Sequence, residues 1–199
     1  MISPAGPGRA TGRVFVVSSP SGGGKTTVVA RLLSEMPKLV RSISVTTRPR
    51  RPGERQGRDY HFVSTAAFQR LRRAGQLLEW ARVHGASYGT PKKPILRALG
   101  RGRHVVLSID VQGARQIRSA LQQRAVLIFL LPPSIGHLRQ RLMKRQTDTP
   151  SAIRRRMAAA RREMSCAPWY DETVVNDQLE QAVAAVKAII RRRVKPQRG

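Results

Sequence analysis

Residues 14–26 read VFVVSSPSGGGKT, and this stretch decides the architecture of the chain. Val14 to Ser18 is a short β-branched and aromatic run of the kind that forms a buried strand. After a Gly-rich turn, Thr26 to Met36 carries Val28, Val29, Leu32 and Leu33 at helical spacing, and Pro37 ends the helix. The turn, Ser19-Pro20-Ser21-Gly22-Gly23-Gly24-Lys25-Thr26, matches the phosphate-binding pattern G-x-x-x-x-G-K-[ST] at Gly24, Lys25 and Thr26, with Ser19 in place of the first glycine. Glycines let backbone N–H groups turn inward around a phosphate, and the helix N-terminus adds partial positive charge. Lys25 reaches the β- and γ-phosphates, and the Thr26 hydroxyl ligates Mg²⁺. Gly-rich turns also precede lysines without any ligand; a strand before and a helix after favour the cradle. The pattern implies nucleotide binding and leaves the second substrate open.

Working outward, the αβ alternation resumes at Pro94. Helix 94–100, strand His104–Ile109, helix 112–121 and strand Ala125–Leu131 follow in turn, then helices 134–145 and 150–164, a short strand Val174–Val175 and helix 178–193. Such alternation predicts an α/β fold, a P-loop NTPase-type parallel sheet core with helices on both faces. Residues 42–94 differ in texture: a β-prone Ser42–Thr47, a basic Pro/Gly loop Arg48–Arg58, a strand Tyr60–Val63, a helix Thr65–Arg73 capped by Ser64 or Thr65, and a strand Leu77–Val83. The expected division is a flexible tail 1–12 and a domain 13–195. Within the domain, a core (13–41 and 95–195) carries an insertion over about 42–94 and an Arg-rich lid over about 139–157.

The 199 residues include 38 Lys+Arg and 11 Asp+Glu, a net charge of +27. Apolar residues make up 40%, enough for a packed core, which excludes a disordered or collagen-like chain. A single cysteine, Cys166, excludes an internal disulfide framework and fits a reducing compartment. The longest apolar run, Ala125–Leu131, is strand-sized, and residues 1–12 lack the apolar core of a signal peptide. The expectation is a soluble cytoplasmic protein with no membrane contact. A charge this large attracts polyanions, RNA included, through counterion release. The plainer reading is an Arg bias on solvated surfaces with no specific partner. Acids are few, so Glu54, Asp59, Glu79 and Asp110 each invite a question.

The insertion holds Thr46-Thr47-Arg48-Pro49-Arg50-Arg51-Pro52-Gly53-Glu54, then Gly57-Arg58-Asp59-Tyr60, Glu79-Trp80-Ala81 and Tyr88-Gly89-Thr90; Ile109-Asp110-Val111-Gln112-Gly113 ends a core strand. Guanine presents two donors, N1–H and the 2-amino group, beside the acceptor O6. Carboxylates at Glu79 and Asp110 suit the donors; hydroxyls at Ser44 and Thr90 suit O6. Adenine would leave such carboxylates unpaired, which is how the site would discriminate. Arg48 and Arg51 offer planar forks to a monophosphate, and Tyr60 and Tyr88 offer hydroxyls. A surface salt bridge for the acids and core packing for the tyrosines are the simpler alternatives for each residue taken alone.

Together with the cradle, this set in this order resembles the guanylate kinase family, from about Val14 to about Arg192. The resemblance implies GMP binding by Ser44, Arg48, Arg51, Tyr60, Glu79, Tyr88, Thr90 and Asp110. It implies ATP binding by Ser19 to Thr26 together with Asn176. Catalytic roles fall on Lys25, Arg48, Arg141, Arg145 and Arg156, the last three closing over the triphosphate as a lid; Mg²⁺ comes with ATP on Thr26. The implied reaction is ATP + GMP ⇌ ADP + GDP, with direct attack of the GMP phosphate on the γ-phosphorus and no side-chain nucleophile. Asn176-Asp177 lies where the family meets the adenine end of ATP; a helix N-cap is the equal alternative.

Three departures from the family pattern stand out. Ser108 replaces an acid two residues before Asp110, Lys144 and Gln146 replace glycines flanking Arg145, and Arg50 replaces a proline. The alternatives are a P-loop kinase for another phosphate acceptor, a non-catalytic guanylate kinase-like module, and a nucleic-acid binder. Monomer and homodimer both stay open.

Overall fold

The computed structural model describes residues 12–83, 85–143 and 150–194. In chain order the elements are β1 (Val14–Ser18), α1 (Lys25–Glu35), β2 (Leu39–Arg41), β3 (Val45–Thr46), β4 (His61–Phe62), α2 (Thr65–Arg73), β5 (Leu77–Val83), β6 (Ala86–Pro91) and α3 (Lys92–Gly100). There follow β7 (His104–Ser108), α4 (Val111–Leu121), β8 (Ala125–Leu131), α5 (Ile135–Met143), α6 (Pro150–Met164), β9 (Glu172–Val175) and α7 (Leu179–Val194). They form two compact units, one from the described residues within Met1–Val14, Lys38–Leu107 and Gln112–Ala125, the other from those within Phe15–Pro37, Ser108–Val111 and Val126–Gly199.

In the first unit a four-stranded sheet runs β4-β3-β6-β5. β3 is parallel to β4 and antiparallel to β6, and β5 and β6 form an antiparallel pair that sets Glu79 opposite Thr90. α2 starts as expected, with Ser64 as its cap accepting from the Ala67 N–H at 3.2 Å, and buries Phe68. β2 pairs in parallel with β7, Leu39 beside His104.

Five elements differ from expectation. β2 and β6 were not read from the sequence, because three residues after a proline, and the Gly- and Pro-containing ASYGTP, carry little strand propensity. Their ladder partners impose the extended form. Of the β-prone Ser42–Thr47 only Val45–Thr46 is a strand, and the Tyr60–Val63 strand shrinks to His61–Phe62. The helix expected at Pro94 begins two residues earlier, with Pro94 inside the first turn, where its missing N–H costs nothing.

In the second unit the strand order is β1-β8-β9, with β8 and β9 parallel. Both β1 and β8 are apolar and buried almost throughout, the pattern of strands covered on two faces. α1 packs on α7, whose buried stripe is Ala182, Val183, Val186, Ile189 and Ile190. Lys187 and Arg31 both pair with Glu35 at the edge of that contact. α5 starts after its cap Ser134, which accepts from the His137 N–H at 3.2 Å. No helix among the described residues is long and apolar enough to cross a membrane.

Candidate active site

The second unit holds the phosphate cradle. Residues 19–24 turn the chain from β1 into α1 with Gly22 at φ 89° and Gly24 at φ 88°, a region that L side chains rarely adopt. Ser19 is buried, and its hydroxyl donates to the Pro20 carbonyl at 3.1 Å. A Cβ on Gly23 would lie 2.6 Å from Ser19 Oγ, so serine at the first-glycine position is accommodated by glycine at 23. Lys25 Nζ donates to the Ser19 carbonyl at 2.7 Å and closes the loop on itself. Burial pushes the Lys25 ammonium below its ordinary value, against Glu163 and Asp110, which favour its charge. Thr26 is exposed in the first turn of α1.

Two further groups shape the cradle. Asn176 is buried, and its Nδ2 donates to the Gly23 carbonyl at 2.7 Å; a Cβ on Gly24 would come within 2.5 Å of that nitrogen. α7 begins only at Leu179, so the N-cap alternative for Asn176-Asp177 fails. Arg141 Nη2 donates to the Asn176 carbonyl at 3.1 Å and to that of Asp177 at 3.4 Å. Glu163 Oε2 accepts from the Ser21 N–H at 3.2 Å. Burial raises the Glu163 carboxyl, with Lys25 opposing. Arg156 is half-buried on α6. Arg145, Lys144 and Gln146 lie outside the described residues.

The first unit gathers the residues expected to hold the acceptor. Glu79 is 3% exposed and Thr90 0%; the Thr90 hydroxyl donates to Glu79 Oε1 at 2.5 Å. Glu79 is therefore a buried carboxylate and not one on the surface. Arg48 Nη2 meets Glu54 Oε1 at 2.7 Å, and its Cζ lies 5.6 Å from the Tyr60 ring centroid and 5.8 Å from that of Phe62. The Arg51 N–H donates to Glu54 Oε2 at 2.8 Å, so a single carboxylate organises both arginine positions. The Arg51 side chain is exposed. Tyr60 and Tyr88 stack edge to face, centroids 6.0 Å apart, and burial raises the Tyr60 hydroxyl. Buried Thr46 anchors the loop: its hydroxyl donates to the Ser87 carbonyl at 3.0 Å and accepts from the Arg48 N–H at 3.1 Å. Ser44 is half-buried and its carbonyl accepts from the His61 N–H at 2.8 Å. Asp110 belongs to the second unit and acts electrostatically on Lys25.

The family model for guanylate kinase matches residues 11–193. The chain belongs to the guanylate kinase family. It is 49% identical over 180 residues to the guanylate kinase of Dechloromonas aromatica, covering 90% of this chain and 89% of that one. To the guanylate kinase of Nitratidesulfovibrio vulgaris it is 50% identical over 178 residues, 89% of this chain and 86% of the other. The crystal structure of guanylate kinase from Anaplasma phagocytophilum superposes with a TM-score of 0.81 at 34% identity, covering 95% of this chain and 89% of that chain. The α/β class, the family and the enzyme expected from the sequence, a kinase acting on GMP, all stand.

Sequence reasoning missed Glu54 and Glu163 as parts of the site. Glu54 had a signal, being a rare acid six residues after Arg48. Glu163 had none, since its partner Ser21 is 142 residues away.

Proposed function

We propose that the chain moves the γ-phosphoryl group of ATP onto the phosphate of GMP, with the residues above in the following roles. The loop of residues 19–26 and the Lys25 ammonium hold the ATP phosphates. Arg141, Arg145 and Arg156 offset the negative charge that spreads over the transferred group. Asn176 holds Gly23 in its turn at the ATP end. Arg48 and Arg51, set by Glu54, take the GMP phosphate with the Tyr60 and Tyr88 hydroxyls.

Glu79, Asp110 and Ser44 read guanine. Thr90 supports them, its proton being committed to Glu79, so the hydroxyl that donates to O6 is that of Ser44. The observation that carries the reading is the buried Glu79 carboxylate opposite Thr90. A buried acceptor of this kind rewards a base with N–H donors and rejects one without them.

Mg²⁺ fits the cradle. Among the described residues no three His, Cys, Asp or Glu side chains gather. The exposed Thr26 hydroxyl beside Lys25 suits an ion bound by few protein groups and by substrate phosphates. Bound there, it would neutralise phosphate charge. Beyond its substrates, the net charge of +27 supports polyanion contact, and cysteine usage supports a cytoplasmic location.

The test is ADP release from ATP and Mg²⁺ with GMP, AMP, CMP, UMP or no acceptor. Turnover with GMP alone, abolished by chelation and restored by Mg²⁺, is expected. Binding of both nucleotides without turnover would leave a binding module, and indifference to GMP would sink the roles of Glu79 and Asp110.

A further inference from the structure

We propose that Glu163 is a positioning residue of the phosphate cradle, tying α6 to the loop through the Ser21 N–H. The inference rests on the reading of residues 19–26 as that cradle. Lys25 closes the two ends of the loop by its 2.7 Å bond to the Ser19 carbonyl and Asn176 holds the Gly23 carbonyl at 2.7 Å, but neither gives Ser21 a tether. Glu163 supplies one, its Oε2 standing 3.2 Å from the Ser21 nitrogen. A carboxylate on an amide N–H is a charge-assisted bond, roughly twice as strong as a neutral one. The same carboxylate, together with Asp110, favours the charged form of the Lys25 ammonium. Position 108, at the end of β7, carries a serine and brings no negative charge of its own.

The tether also has a place in the helix. Arg156 stands seven residues before Glu163 on α6, two helical turns away, so the two side chains share one face about 10 Å apart along the axis. The helix that carries an arginine of the transfer machinery in its middle turns is thus pinned near its C-terminal end to the loop that holds the phosphates.

The experiment compares Glu163→Ala, Glu163→Gln and Lys25→Met in steady-state assays with ATP and GMP varied separately, each variant checked for folding by thermal melting. Glutamine keeps an acceptor oxygen for Ser21 and drops the charge. E163A should raise the KM for ATP about tenfold, the weight of one charge-assisted hydrogen bond, with the KM for GMP unchanged. E163Q should stay within about threefold of the parent, since the acceptor remains. If E163A does not fold, Glu163→Asp, one methylene too short for Ser21, should show the raised KM in its place.

An unchanged KM for ATP in the variant lacking the acceptor overturns the proposal. A lowered one also does, by showing that Glu163 competes with phosphate for the Ser21 N–H. Equal impairment of E163A and E163Q overturns it too, since the hydrogen bond would then not be the operative contact. Turnover retained in K25M would instead sink the cradle reading, whatever Glu163 does.

Discussion

Thr90 donates its hydroxyl proton to Glu79 across the β5–β6 ladder, residue directly opposite residue, both buried. The register sets the pair, and the pair orients the carboxylate by fixing one of its oxygens. Thr90→Val keeps the shape and removes the donor. It should cost about 1–3 kcal/mol of stability, the weight of a buried hydrogen bond to a carboxylate, and raise the KM for GMP. Chemical denaturation and GMP-varied kinetics check both; a neutral effect on each would show that the Thr90 hydroxyl does not orient Glu79.

Gly23→Ala should remove most activity, because its Cβ would sit 2.6 Å from Ser19 Oγ and 2.8 Å from Ser19 Cβ. Ser19→Gly deletes both atoms. The double variant S19G/G23A should therefore recover part of the lost turnover, the Pro20 carbonyl at 3.0 Å still crowding the new methyl. No recovery would show that residue 23 must be glycine for a reason other than Ser19.

Asn176→Ala removes the donor to the Gly23 carbonyl without touching α7. The expected result is a KM for ATP raised about tenfold, with modest loss of stability. Loss of stability with an unchanged KM would return Asn176 to a purely structural role.

Glu54 gives a pH-dependent prediction. Burial acts to raise its carboxyl, but hydrogen bonds from Arg48 and from the Arg51 N–H outweigh it and hold it below the ordinary range. The folded value lies below the unfolded one, so the stabilisation is complete above the unfolded value of about 4.3 and is lost as pH falls through the folded value. The stability difference between the parent and Glu54→Gln should be constant near neutrality and stay under about 1 kcal/mol, the pair being partly exposed. It should shrink below about pH 4. A difference that persists to about pH 2 would rule out the ion pair as its source.

The cradle was legible in the sequence because phosphate binding there uses contiguous backbone. A strand, a turn with glycines and a helix start are local events, and Lys25 and Thr26 follow from their place in the chain. The acceptor residues were legible as chemistry, rare acids and hydroxyls among many arginines, once the family resemblance ordered them. Their pairings were not. Glu79 with Thr90 depends on the register of a strand, β6, whose own sequence argues against extension. Arg141 was expected to meet phosphate charge, and its bonds to the Asn176 and Asp177 carbonyls join α5 to a segment 35 and 36 residues further along the chain. Asn176 on Gly23 and Glu163 on Ser21 join positions 153 and 142 residues apart. Local spacing determined which groups this protein has; only the tertiary structure decided which of them touch, because contacts between distant segments depend on how whole elements dock and leave no periodicity in the chain.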